Sequence, residues 1–209
     1  MIFGRISTKP SLSFKEFKEK GTITEPKRYK KYKEKRFQTP TGKVELYSTL
    51  FEEYGYDPLP HYREPPESPL NTPHLWKQYP LILISGARSI LYFHSEGRQI
   101  SSLRTKKPNP QLEIHPETAD KLDIEQEDWI NIETPRVEGK KARFKAKITQ
   151  KIHPKVVNAD HGWWFPEKQK PEYGVFESNI NLVTSGDSPS DEIIGSVPTR
   201  GTLCRIKKE

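Results

Sequence analysis

Pro80-Leu81-Ile82-Leu83-Ile84-Ser85-Gly86 is the stretch on which the fold turns. Four large apolar residues in succession, started by a proline and closed by Ser-Gly, describe a short buried strand; the run is too brief for a core helix. Gly86 lets the chain leave that strand abruptly and lets backbone amides come close to a ligand. Further strands follow at Leu112–His115, Trp129–Ile132, Ala142–Thr149, Val156-Val157 and Thr202–Ile206. The clearest is Ala142–Thr149, where Phe144, Ala146 and Ile148 alternate with polar residues. Pro116–Leu122, with proline at its first turn, reads as a short helix. Short strands separated by long loops, with a single short helix, predict a mainly β fold closed into a small barrel. The region 160–200 has little periodicity, and long ordered loops of that kind usually bind something.

Inside that region lies His161-Gly162-Trp163-Trp164-Phe165-Pro166-Glu167, two adjacent indoles in a chain that is otherwise highly polar. Neighbouring residues of an extended segment face opposite ways. One indole is therefore free to go inward while the other covers a ligand, a loop or another domain. The alternative is that both rings fill a small core.

The chain has 209 residues, of which 32% are hydrophobic and 30% charged, with 19 prolines. That balance implies that part of it does not bury its own surface. No apolar run approaches the ~20 residues needed to span a bilayer, and no leader pattern opens the chain, so a cytoplasmic location is expected. The lone Cys204 excludes an internal disulfide and any cysteine-built metal site. The six histidines lack metal-ligand spacing, so no protein-only metal site is expected. The net charge of +7 is uneven: residues 1–45 hold 13 Lys/Arg against 5 Asp/Glu, while the remainder hold 22 against 23. Such a basic arm suits either nucleic acid or a membrane surface, or else a solvated lead that rests on a partner.

Three regions follow: a basic segment over 1–38, a connector over 39–78 and a compact part over 79–209. In the first, Ser13 and Glu16 stand at capping-box spacing, while the run 27–33 has no apolar face and predicts weak local structure. Pro40-Thr41-Gly42 supplies a turn, Lys43–Tyr47 alternates like a short strand, and a helix over Thr49–Tyr54 ends at Gly55. Residues 57–80 carry seven prolines and predict an extended connector.

The compact part resembles the final domain of molybdopterin oxidoreductases of the dimethyl-sulfoxide-reductase superfamily. The residues that carry the likeness are Pro80–Arg88, Tyr92-Phe93-His94-Ser95, Ile114–Ala119, Asp128-Trp129-Ile130, Glu133–Arg136, His161–Trp164, Ser178–Leu182 and Arg200–Cys204. They occur in order, and a weaker likeness through Thr39–Ser48 reaches back to about residue 37. Tyr-Phe-His-Ser and His-Gly-Trp-Trp-Phe-Pro-Glu look closest to the acetylene-hydratase-like branch. The resemblance implies a double-psi β-barrel. It also implies a bis-molybdopterin guanine dinucleotide cofactor carrying molybdenum or tungsten and shared with a partner chain.

The residues make chemical sense of that ligand, a flat heterocycle edged with donors and acceptors and joined to guanosine through a pyrophosphate. The candidate binding set is Ser85, Gly86, Arg88, His94, Ser95, His161, Gly162, Trp163, Asn179, Asn181 and Arg200. Arg88 is suited to fork onto phosphate or a carbonyl edge, Arg98 and Arg104 add positive potential, and Arg200 is a further candidate whose alternative is a solvated cation near the chain end. His94 and Ser95 offer bonds to pterin heteroatoms, and the Asn amides give and accept at once. The bland alternatives are a surface ion pair for Arg88, a structural hydrogen bond for His94, and turn formation for the asparagines.

The chain also departs from the family pattern. Asp123 and Glu127 stand where the family usually has glycine, and Arg136-Val137-Glu138-Gly139 replaces its Arg-Gly turn. An iron–sulfur segment, the central dinucleotide-binding domains and a metal-ligating residue are all missing. The expectation is a split subunit or fragment of a molybdenum or tungsten oxidoreductase, with no catalytic residue of its own. It would work with a larger catalytic subunit or the missing N-terminal domains. Two other readings stay open: a single-strand nucleic-acid module built on the Tyr/Lys run at 27–36, and a non-catalytic assembly subunit anchored by Trp163 and Trp164.

Overall fold

The computed structural model describes residues 13–22, 27–86, 89–187, 190–193 and 195–209, which form two compact units, Met1–Pro60 and His61–Glu209. In the first unit three short helices are α1 (Phe14–Lys20), α2 (Tyr32–Lys35) and α3 (Thr49–Glu53). Helix α1 opens on the expected capping box, the Ser13 side chain accepting from Glu16 N while Glu16 accepts from Ser13 N. Helix α2 is a single turn that begins at the end of the 27–33 run expected to be weakly structured, and Tyr32 stacks on Phe37 at 4.7 Å. The strand expected over Lys43–Tyr47 does not form. Instead the Thr39 hydroxyl donates to Lys43 O, and Glu45 accepts from the Thr41 amide and hydroxyl. These local bonds satisfy the groups that a ladder would have used. None of the described residues of this unit is buried.

Residues 57–80 are not wholly extended, because Pro73–Gln78 forms helix α4, with Pro73 at its first turn where a missing N–H costs nothing. The Ser68 hydroxyl accepts from the amides of Leu70 and Asn71, shaping the turn before it.

Six strands then close a barrel: β1 (Leu81–Ser85), β2 (Gln111–Ile114), β3 (Trp129–Glu133), β4 (Ala142–Ile148), β5 (Val156–Ala159) and β6 (Thr202–Lys208). Around the barrel they run β1-β5-β2-β4-β3-β6, with β6 returning to β1. Pairs β1/β5 and β2/β4 are parallel and the rest antiparallel. Exchanging β1, β2, β3 with β4, β5, β6 maps each pair onto one of the same sense, so the topology contains an internal dyad. Strand β5 is inserted between the consecutive strands β1 and β2, and β2 between β4 and β5. These are the two psi crossings, and the fold is the double-psi β-barrel expected from the sequence.

Alternation sets the core. In β4, Ala142, Phe144 and Ala146 are buried while Arg143 and Lys145 face out, beside the Trp129 ring. Leu83, Leu112, Ile114, Ile130, Ile132 and Val157 fill the interior with them. Cys204 lies in the same core, and burial pushes its thiol pKa well up, which makes it an inert filler. Helix α6 (Pro116–Lys121) spans β2 and β3. Asp123 and Glu127, which flank the turn after it, have φ of 53° and 66°, the left-handed backbone that glycine adopts freely.

Strand direction follows from the pairings. Odd strands run one way and even strands the other. The connections 86–110, 134–141 and 160–201 therefore all emerge at one end of the barrel, and 115–128 and 149–155 at the other. The first and third carry helices α5 (Ser101–Arg104) and α7 (Val175–Ser178). Beneath these loops Tyr92, Trp163 and Phe165 form a second, smaller core that Leu91 and Leu103 pack against.

Candidate functional site

The loop end of the barrel gathers most of the sequence-selected residues into two adjoining groups. Ser85 is paired with Ala159 in the parallel β1/β5 ladder, so the residues after each strand start out side by side. In the first group, the Ser85 hydroxyl donates to Thr199 O at 3.3 Å and the Gly201 amide donates to Leu83 O at 2.9 Å. Gly86 has φ of 91°, and a Cβ there would lie 3.2 Å from the Arg200 guanidinium. The backbone favours glycine here, and a side chain would in addition push the Arg200 guanidinium aside. Arg200 is exposed and forms no ion pair among the described residues.

In the second group the 92–98 loop meets the start of the 160–201 loop. His94 Nδ1 and His161 Nε2 lie 3.1 Å apart, so one imidazole donates to the other. A Cβ on Gly162 would stand 3.2 Å from Ser95 N, so any side chain there would press on the neighbouring backbone. Trp164 Nε1 donates to Ser95 O at 2.6 Å. Trp163 is wholly buried, edge-on to Tyr92 and Phe165 and flanked by Arg98 and Arg104. The two indoles therefore divide as the alternating geometry required: Trp163 inward, Trp164 partly covered and bonded across to the neighbouring loop. Trp163 presents no surface of its own, so its part is to support the loop that carries His161 and Gly162.

The asparagines stand apart. Asn179 Oδ1 accepts from Asn181 N at 3.0 Å, capping the 3-10 turn Ile180–Leu182. Thr134, just after β3, donates to Val183 O at 2.6 Å and fixes this turn at the loop end of the barrel. Its placement leaves the Asn179 amide N–H groups as donors. Arg136 joins the third loop by pairing with buried Glu67 and donating to Pro198 O at 3.4 Å. Arg88 lies outside the described residues.

Sequence reasoning missed Lys107 and Asp160. Lys107 Nζ lies 2.7 Å from Asp160 Oδ1, and Asp160 Oδ2 accepts from Gln111 N at 2.8 Å, locking the end of one loop to the start of another. The Tyr92 hydroxyl donates to Lys107 O nearby, and burial raises its pKa. Nothing in the local pattern joins residues so far apart in the chain. Burial lowers the Arg98 pKa, against the pull of Asp160, yet a guanidinium remains cationic.

The donor set fits a molybdopterin dinucleotide. Exposed Arg200, lying against Gly86, and the Asn179 amide offer N–H groups at the loop end, while the unpartnered Arg98 Nε and Trp163 Nε1 stay enclosed beneath it. Such a surface favours an acceptor-rich ligand of pyrophosphate and carbonyl edges. Among the described residues, no cluster of three or more His, Cys, Asp or Glu is placed to hold a metal ion, and no helix is long and apolar enough to cross a membrane.

A closed double-psi barrel whose loops assemble glycines and donors at one end is a nucleotide-cofactor-binding domain. Residues 81–203 match the family described as "Molydopterin dinucleotide binding domain", and the chain belongs to that family. Acetylene hydratase of Syntrophotalea acetylenica is 41% identical over 139 residues, 65% of this chain and 18% of that protein. Dopamine dehydroxylase of Eggerthella lenta is 40% identical over 147 residues, 68% of this chain and 14% of that protein. The solved acetylene hydratase from Pelobacter acetylenicus superposes with a TM-score of 0.76 at 36% identity, covering 82% of this chain and 24% of that one. The chain thus spans less than a quarter of each of these proteins. Its barrel is a molybdopterin-dinucleotide-binding domain of the molybdenum oxidoreductase superfamily.

Proposed function

We propose that this chain forms one wall of a bis-molybdopterin guanine dinucleotide site and that a larger polypeptide supplies the other. The observation that carries the reading is the convergence of the 86–110 and 160–201 loops, with Gly86, Arg200, His94, Ser95, His161 and Gly162, on a single barrel end. Arg200 beside Gly86 suits a phosphate, with Arg88 as a second cation assigned from the sequence. His94, Ser95, His161 and the amides of Asn179 and Asn181 suit the polar edge of a pterin. When bound, the metallated pterin supplies the reactive centre, molybdenum or tungsten. This chain's residues bind, orient and exclude water, and none of them is assigned as catalytic.

The larger partner would bring the metal ligand, any iron–sulfur centre and the rest of the cofactor cradle. The relatives' names support a division of labour. Acetylene and dopamine are unlike molecules, yet their enzymes are equally similar to this chain. Substrate choice therefore resides in the partner, and the assembled enzyme groups with the acetylene-hydratase-like branch. We assign assembly to the cytoplasm, in keeping with a buried free Cys204 and no other cysteine. The test is co-expression with a larger polypeptide that carries the remaining domains. Pterin fluorescence after oxidation and metal analysis should both track the stoichiometric complex. A stable complex devoid of pterin overturns the reading.

A further inference from the structure

Among the side chains that join the two loops carrying His94-Ser95 and His161-Gly162, Arg98 reaches a carbonyl on each and is not used as a ligand in the cofactor reading. Arg98 is 2% exposed. Its guanidinium donates through one terminal nitrogen to His94 O at 2.7 Å and through the other to His161 O at 3.1 Å. It also stacks 4.6 Å from the Trp163 ring and 4.9 Å from the Tyr92 ring. Its charge meets two carbonyls and two aromatic faces, and it forms no ion pair among the described residues. A recess of about 10 Å³, lined by Arg98, Asp160, His94 and His161 among others, leaves space for little more than one water beside it.

We infer that Arg98 is a positioning residue, a fork that sets the spacing of the two cofactor-facing loops before any cofactor arrives. The inference rests on the site reading above and deepens it. The geometry demands arginine. A planar guanidinium reaches two carbonyls at once from fixed positions, while an ammonium is a point charge on a flexible stem. His94 needs such a brace, since its φ of 51° lies in the left-handed region that side-chain-bearing residues avoid. Gly162 depends on it as well, because its backbone packs so closely on Ser95 that a Cβ would stand 3.2 Å from Ser95 N.

The test compares the full chain with Arg98→Lys and Arg98→Gln by hydrogen–deuterium exchange without cofactor, and by pterin retention after co-expression with the larger partner. Amides of β1 to β6 should keep their protection in Arg98→Lys, which retains the buried charge. Amides of 93–97 and 161–165 should exchange about tenfold or more faster in both variants, and pterin retention should fall by a similar factor, the loss of a charge-assisted bond. If Arg98→Lys matches wild type in both measurements, the fork is unnecessary and the inference fails. The inference also fails if Arg98→Gln loosens the loops and Arg98→Lys restores them, since charge alone would then suffice. Absence of pterin from the wild-type complex would overturn the site reading only, because loop exchange in the cofactor-free chain judges Arg98 independently.

Discussion

At the scale of single residues, the loop end is held by charges whose partners lie far away in the chain. Arg136 pairs with Glu67, and both side chains are only 9% exposed. Removing one member of such a pair leaves the other charge buried and uncompensated, which costs far more than the pair contributes. Arg136→Met is therefore expected to destabilise the chain by about 3–5 kcal/mol in urea unfolding. Adding Glu67→Gln to that variant should restore most of the loss. A single variant as stable as wild type would mean that Glu67, one of whose oxygens already lacks a partner, finds water or another donor. Residues of this kind are the ones sequence reading does not find. His94, His161 and Gly162 were legible because they sit in compact motifs with unusual composition. Lys107, Asp160 and the doubled role of Arg98 were not, because their meaning depends on contacts across loops and not on neighbours along the chain.

At the scale of elements, alternation and short apolar runs located all six strands and helix α6, while ends were blurred. Strand β5 extends beyond Val156-Val157 to Ala159 because Asn158 and Ala159 still find partners in both β1 and β2. Strand β6 runs past Ile206 to Lys208 because Lys207 and Lys208 pair with β3, an effect of the ladder that hydropathy does not record. The reverse error occurred at Lys43–Tyr47, where the right alternation lacked a neighbouring strand to pair with. Proline count likewise concealed α4, since a proline at the first turn starts a helix as readily as it stops one. The turn after α6 gives a quantitative check. Glu127 occupies left-handed backbone at φ 66°, and its carbonyl, which any residue would supply, accepts from Lys145. Glu127→Gly should raise stability by about 1 kcal/mol, relief of the left-handed strain outweighing the added freedom of the unfolded chain. Asp123→Gly should gain less, because aspartate tolerates that conformation better. Thermal unfolding of the two variants measures the difference, and a fall in midpoint for Glu127→Gly would show that its side chain matters more than its backbone.

At the scale of the whole molecule, the chain consists of a barrel with a dense core and a basic unit whose described residues form none. The barrel buries residues from every strand, whereas Met1–Pro60 has Phe14, Tyr29, Val44, Leu46 and Tyr54 exposed among lysines and no buried residue among those described. A segment that buries so little apolar surface does not offset the entropy of ordering its backbone, about 1–2 kcal/mol per residue. Contacts among its described residues include the Tyr32–Phe37 stack and the Arg28–Glu34 pair, both between residues close in the chain. Limited trypsin digestion of the isolated chain should therefore cut first among the lysines and arginines of residues 15–36 and leave a resistant core beginning near His61. The larger partner proposed above should abolish those early cuts, since apolar side chains spaced between cations fit a surface of apolar pockets with an acidic rim. Single-stranded nucleic acid makes the competing forecast that protection appears without the partner and vanishes as salt rises. Protection by the partner that persists at high salt identifies the apolar residues as the contact, while equal cutting with and without it removes Met1–Pro60 from the assembly interface.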